Sequence, residues 1–551
     1  MGQQPGGAKT CPNVGKDCSC WCAPSPLPYY GGMRRMVRRV NFPRMNLLRS
    51  SVTLFAFGLL AASCVSAADR AQALPRSAPE KQGVSSAALL GFIDEAEAKI
   101  NALHSVMIVR RGHVIAEGWW APYAAEEPHQ MFSLSKSFTS TAVGLAVAEG
   151  KLSVDDPVLK FFPEEAPAKP STNLKAMRLR DLLTMAAGHH AEDLQGFSLT
   201  TDESVVKRFL ALPVAHKPGT FFAYSTVATY LQSAMVQKVT GQSVLAYLRP
   251  RLFEPLGIEN PAWEQSKQGV SQGGTGLSIR TEDIAKFGQL YLQKGRWNGK
   301  QLVPASWVET ATARWMSNGS NPASDWEQGY GFQFWRCRYG VIRGDGAHGQ
   351  FCIVMPELDA VIAITAGTRD LQGVLNVVWA KLLPALQAKT SGALAADAGA
   401  EGMLRARLAG LALKAPVAVA GERSPIASKV AGKRFVFPKN PQATESITLT
   451  PAVGDPTATE FVGTTGGVEQ RVTVAGGRWV KGELKGGPAA GPVAVSGAWT
   501  AADTFTLDVV RYRTPFVARY HLKFSGDGET VTLETVMNVG PTPPPVVGRR
   551  E

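Results

Sequence analysis

Strand-forming residues occur in two groups far apart in the chain, and that separation restricts the fold more than any other feature. Runs at 104–110 and 113–120 flank Arg111-Gly112 and form a hairpin; comparable runs return only at 330–335, 351–355 and 359–365. Between them, 133–306 is mostly helical in period, punctuated by Gly150, Gly188, Gly241 and Gly257, each just past an apolar stretch. A long helix follows over 371–388. The order strands, helices, strands, helix predicts an α/β (α+β) domain. One antiparallel sheet takes strands from both ends of the segment, is flanked by helices, and carries a helical subdomain inserted on one side.

The organisation beyond this domain follows from composition. A chain of 551 residues, 45% hydrophobic and 19% charged, holds two or three domains and excludes disorder throughout, a collagen repeat or a coiled coil. The boundaries read as a leader over 1–68, the α/β domain just described over 69–388 and an Ala/Gly-rich linker over 389–431. Alternating Val/Thr-rich runs over 432–540 predict a separate all-β barrel or sandwich, followed by a loose Pro-rich tail over 541–551.

The net charge of +13 is concentrated at the start. Residues 1–68 carry eight lysines and arginines against one acid, more than half of the surplus, so no nucleic-acid partner is implied. An apolar run over 52–62 and small residues up to Ala68 follow the basic stretch, as in a secretory signal peptide; the run is too short to span a membrane. The expectation is an exported, periplasmic or secreted protein. Lipid anchoring at Cys64 is the alternative, although Ala61 stands where such a signal usually has Leu. Five of the seven cysteines lie in the leader. For Cys337 and Cys352 a disulfide and two reduced core thiols both remain open.

The chemistry centres on Ser133 and Lys136, three residues apart at the head of an apolar helix, so that their side chains share a face. A lysine there loses hydration and feels the positive end of the helix dipole. Both effects favour the neutral amine, which can take a proton from the neighbouring hydroxyl. Ser204 and Lys207 share the spacing, but on an ordinary amphipathic helix, where a solvated pair is expected.

The segments Phe132-Ser-Leu-Ser-Lys-Ser-Phe-Thr-Ser140, Leu179-Arg-Asp-Leu-Leu-Thr-Met-Ala-Ala-Gly188, Pro218-Gly-Thr-Phe-Phe-Ala-Tyr-Ser225, Gly273-Gly-Thr-Gly-Leu-Ser278 and Gly346-Ala-His-Gly-Gln350 occur in this order. Together they resemble the serine β-lactamase and penicillin-binding-protein superfamily, in particular its class C-like esterase and 6-aminohexanoate-dimer hydrolase branch. The resemblance covers about 85–386 and implies an active site between sheet and helical subdomain. It also implies that Tyr224 joins Lys136 in relaying the proton. The family's Asn after that tyrosine is Thr226 here, which replaces an amide donor by a hydroxyl. In place of a Lys-Thr-Gly element stands the stretch around His348, Gly349 and Gln350. With Thr226 these are the candidate substrate contacts, and the cationic grip on a β-lactam carboxylate is missing or passes to His348 or Arg343.

Other constellations carry less. His189-His190 lack metal-ligand spacing, Asp155-Asp156 open a helical turn, and no nucleotide-binding glycine pattern occurs, so neither cofactor nor metal is expected. The expected activity is hydrolysis of an ester or amide in a small-molecule or peptide-like substrate through an acyl-enzyme on Ser133. The alternative is a non-hydrolytic, penicillin-binding-like sensor or scaffold for cell-wall ligands.

Overall fold

The structure, a computed structural model, describes residues 73–388, 392–419, 424–455, 457–486 and 490–551. The leader, with its signal-peptide and Cys64 readings, lies outside the described residues. Among these, no helix is long and apolar enough to cross a membrane.

The first sheet has six strands: β1 (Leu103–Arg110), β2 (His113–Trp119), β3 (Trp335–Arg336), β4 (Ile342–Gly346), β5 (Gln350–Met355) and β6 (Ala360–Ala366). Their spatial order is β2-β1-β6-β5-β4-β3, antiparallel throughout, so the amino-terminal hairpin pairs with the last strand of the domain as expected. The hairpin turns on Arg111 (φ 49°) and Gly112 (φ 74°), the pair of positive φ values that a tight two-residue turn needs. Both faces of the sheet are buried. Met107 and Val109 face one core, while Val106 and Ile108 face the other, which is why β1 is a continuous apolar run without alternation.

One core holds α2 (Ser135–Ala148), α4 (Thr226–Thr240) and α5 (Thr281–Leu292); α3 (Leu179–Leu183) borders it. The opposite core holds α1 (Ser86–Lys99) and α6 (Leu371–Val377), which runs on through a π-helical stretch to Gln387. That widened turn lies just ahead of Pro384, whose ring nitrogen cannot donate to the preceding turn. The expected strand over 330–335 is confined to Trp335–Arg336, because Tyr330, Phe332 and Phe334 pack their rings as irregular chain. The strand Ile342–Gly346, with four polar or glycine positions among its five, carried too little apolar pattern to be anticipated.

The region expected as a linker contains a packed helix. Here α7 (Ala398–Ala409) lies against α1 and places Leu404 in the second core, with Leu411 just beyond it. The carboxy-terminal unit is a nearly closed ten-stranded barrel. Its strands are β7 (Arg434–Val436), β8 (Thr444–Pro451), β9 (Ala458–Thr465), β10 (Val468–Ala475), β11 (Val480–Leu484), β12 (Gly491–Trp499), β13 (Thr504–Val510), β14 (Val517–Phe524), β15 (Thr530–Met537) and β16 (Val546–Arg550). Their order is β10-β9-β8-β7-β16-β15-β14-β13-β12-β11. The expectation of a loose tail over 541–551 is therefore corrected. Residues 546–550 form β16, which joins β7 to β15 and unites the two halves of the barrel.

Cys337 and Cys352 are both free and buried, and they belong to opposite faces of the sheet, so the disulfide alternative is not realised. Burial raises their thiol pKa values to about 11 for Cys337, where the Arg343 guanidinium opposes it in part, and to about 12 for Cys352.

Candidate active site

Ser133 lies in the short turn Phe132–Leu134 that leads into α2, half-buried, at the point where the helix meets the edge of β4. The turn is held tightly. Phe132 has φ 48°, a conformation costly for a side chain of its size, and the Ser135 hydroxyl donates to the Phe132 carbonyl at 2.6 Å. The Leu277 amide donates to the same hydroxyl at 3.2 Å. From the other side comes the glycine-rich strand. A Cβ on Gly346 would stand 2.1 Å from the Met131 carbonyl oxygen, and one on Gly344 would stand 2.6 Å from Leu134 and the Ser137 hydroxyl. Only glycine permits so close an approach.

The α2 helix is buried on all sides, from Ser135 to Ala146. Lys136 is 1% exposed, and its Nζ lies 3.0 Å from Ser133 Oγ, 3.1 Å from Thr226 Oγ1 and 2.8 Å from the Gly274 carbonyl oxygen. The Tyr224 ring centroid is 4.9 Å from the same nitrogen. Tyr224 stacks on Trp335 and meets Tyr330 edge-on, which fixes its ring. Ser225 caps α4 by accepting from the Ala228 amide, so Thr226 is the first residue of that helix. The structure thus brings Ser133, Lys136, Tyr224 and Thr226 together around one amine. The Gly274 carbonyl was not singled out from the sequence, although it belongs to the Gly273-Gly-Thr-Gly motif. A Cβ there would come within 2.7 Å of the Thr226 carbonyl oxygen.

His348 packs beside Ser133's turn, half-buried, with its ring edge-on to Phe132 at 5.1 Å. Its φ of 68° is another left-handed strain at the site, and Gly349 beside it has φ 101°. Burial, reinforced by the nearby Arg369 charge, pulls its pKa down to about 4, so the ring is neutral at neutral pH and offers hydrogen bonds, not a cation. Gln350 points inward, donating to the Ala347 and Ala366 carbonyls. Arg343 does not reach the site. It is fully buried, bonded to Asp345, the Asp325 carbonyl and Cys337, and covered by the Trp326 and Trp335 rings. A further ring comes from the barrel: Phe516 lies edge-on to both His348 (5.8 Å) and Phe132 (6.2 Å). Nothing in the sequence pattern connects residue 516 to residue 132.

The remaining candidates are placed elsewhere. His189 is fully buried against Phe209, with its pKa lowered to about 4 by burial, whereas His190 is exposed. Ser204 caps a short helix by accepting from the Lys207 amide. Among the described residues no group of His, Cys, Asp and Glu is arranged to hold a metal ion.

The sequence profile of the beta-lactamase family matches residues 93–377, more than half of the chain. The chain belongs to the beta-lactamase family. Its curated relatives include a 6-aminohexanoate-dimer hydrolase of Paenarthrobacter ureafaciens, 26% identical over 46% of this chain and 70% of that protein. Another is the esterase EstB of Burkholderia gladioli, 26% identical over 29% of this chain and 45% of that protein. Among solved structures, an octameric penicillin-binding protein homologue from Pyrococcus abyssi is 16% identical, with a TM-score of 0.43 over 84% of this chain and 99% of that one. Beta-lactamase-family membership together with these hydrolase relatives makes the protein a serine hydrolase.

Proposed function

We propose that the protein hydrolyses an ester or amide bond through an acyl-enzyme on Ser133, with Lys136 and Tyr224 relaying the proton. The observation that carries this reading is the buried Lys136 amine 3.0 Å from the Ser133 hydroxyl. Burial disfavours an ammonium. A neutral amine has two N–H groups and one lone pair, and the three neighbours suit it. Nζ is placed to donate to the Gly274 carbonyl, Thr226 Oγ1 and Ser133 Oγ; in the neutral form the first two donations remain and the lone pair accepts from the Ser133 hydroxyl instead.

On this reading Ser133 Oγ attacks the carbonyl as its proton passes to Lys136, and Tyr224 helps carry that proton to the leaving group. The Ser133 amide opens a helical turn and so has no partner within it, which leaves it free to donate to the developing oxyanion. Neutral His348, the backbone at Gly349 and the Thr226 hydroxyl line the substrate side, with Gln350 bracing the strand behind them. Water then releases the acyl group. Turnover of a nitrophenyl acyl ester that disappears in Ser133→Ala supports this account. Stable acylation of Ser133 without turnover would favour the sensor alternative, and full activity in Ser133→Ala would refute both.

A further inference from the structure

The turn between β13 and β14 is fastened to the catalytic domain on both sides. The Gln130 amide donates to the Arg513 carbonyl at 2.9 Å and the Tyr123 hydroxyl to that of Thr514 at 3.0 Å. The Asn538 amide group donates to the carbonyls of both Pro515 (2.8 Å) and Gly367 (2.9 Å), and Arg513 pairs with Glu127 at 2.7 Å. A Cβ on Gly367 would stand 2.4 Å from the Pro515 carbonyl oxygen, so the contact tolerates only glycine there. This docking holds Phe516 against His348 and Phe132, the residue preceding Ser133.

Arg511 lies across the hairpin from Phe516. Its amide donates to the Phe516 carbonyl at 3.0 Å, and its guanidinium carbon is 5.8 Å from the centre of that ring. The guanidinium is partly withdrawn from water, and its described neighbours are that ring and the Tyr520 phenol. Among the described residues no carboxylate pairs with it. Proteins seldom leave a half-buried guanidinium without an anion. A second arginine, Arg369, is close enough to His348 to lower its basicity, and it bonds the Gly540 carbonyl of the barrel side. The nearby acids are otherwise engaged. Glu127 holds Arg513 and Lys481, Asp345 holds Arg343, Asp370 caps α6, and Glu264 accepts from Gln130 and Gln272.

We infer that the barrel hairpin forms one wall of the Ser133 cleft and that Arg511 selects substrates bearing a carboxylate several bonds from the scissile carbonyl. This rests on the acyl-enzyme reading above and adds the substrate class. Phe516 sets the distance, since one ring stands between the guanidinium and His348. The partners lie in different domains, which makes the barrel a determinant of specificity.

The test compares two esters of equal chain length, p-nitrophenyl hexanoate and the mono-p-nitrophenyl ester of adipic acid. The expected kcat/KM ratio, charged over neutral, is about tenfold or more in the wild-type protein at low salt, and it falls as salt screens the pair. Arg511→Gln lowers that ratio at least about fivefold, and Arg511→Lys, which keeps the charge, restores part of it. A wild-type ratio near or below one, or a ratio unchanged in Arg511→Gln, overturns the inference. Intact-mass detection of an acyl adduct on Ser133 with the neutral ester separates the two levels. An adduct without charge preference refutes only the role of Arg511, whereas no adduct from either ester refutes the hydrolytic reading as well.

Discussion

The Lys136 amine lies 3.0 Å from Ser133 Oγ and 2.8 Å from the Gly274 carbonyl oxygen, on a side chain almost wholly withdrawn from water. Replacing it by an apolar chain of similar length, Lys136→Met, removes the proposed base and leaves Ser133, the proposed nucleophile, in place. Acylation of Ser133 by an activated ester is expected to slow by about a thousandfold or more. The thermal midpoint changes little, because lost hydrogen bonds are offset by relief from burying an amine. Lys136→Arg does not rescue the rate, since a guanidinium stays protonated. Retention of more than about a tenth of the acylation rate in Lys136→Met would count against the proton-transfer role.

Gly144 sits in the middle of α2, where a Cβ would lie 2.4 Å from three atoms of the Trp307 indole. Gly144→Ala gains about 1 kcal/mol in helix propensity. Forcing a methyl into that contact costs about 1–3 kcal/mol, so the net effect is a loss. Thermal melts monitored by circular dichroism should show a lower midpoint, restored in part by a second change, Trp307→Leu. A midpoint raised by Gly144→Ala alone would mean that the indole yields freely.

Buried against the docked hairpin, His104 Nδ1 lies 3.1 Å from His129 Nε2, and His104 stacks on Tyr123 at 3.8 Å. His129 Nδ1 faces the Gln130 carbonyl, so each ring donates from Nδ1 and both are neutral; His104 Nε2 has no partner among the described residues. Burial takes His129 from its ordinary 6.5 down to about 4, and burial with the neighbouring ring takes His104 well below its own. Because folding lowers these values, the unfolded chain binds more protons in acid. The stability they confer is complete above pH 6.5 and is lost as pH falls toward 4, on the order of 3 kcal/mol for His129 alone. Denaturant melts from pH 7.5 to 4.5 should show this decline, and the double variant His104→Phe/His129→Leu should flatten it. An unchanged slope in that variant would place the acid sensitivity elsewhere.

Much of this architecture was legible in the sequence where local pattern and tertiary demand agree. The Arg111-Gly112 turn, the apolar runs of β1, β5 and β6 and the Ser133/Lys136 spacing each carried their own signal. The constellation around Lys136 was legible only because its motifs lie in order, since Tyr224 and Thr226 are remote in sequence. What escaped notice was set by contacts without local pattern. The strand Ile342–Gly346 is polar because Arg343 and Asp345 satisfy each other under two indoles, so no apolar run announced it. The strand at 546–550 follows a run of prolines, and only its pairing with two remote strands defines it. Phe516 and Arg511 reach the cleft through docking of one domain on another, which no sequence period records.

The role of that last strand yields a simple expectation. Deleting residues 546–551 unzips β7 from β15 and opens the barrel core around Phe435, Leu533 and Val531. The truncated chain should lose cooperative unfolding of the barrel and gain fast amide exchange in β15. A truncated protein with an unchanged melting profile would restore the loose-tail reading.

The most direct test of the central claim is peptide-mapped intact mass spectrometry after brief exposure to an activated acyl ester, run on wild-type, Ser133→Ala and Lys136→Met proteins. One acyl group is expected on Ser133 in the wild-type protein and none in either variant on the same timescale. An adduct at any other residue, or rapid labelling of Ser133 in Lys136→Met, would contradict it.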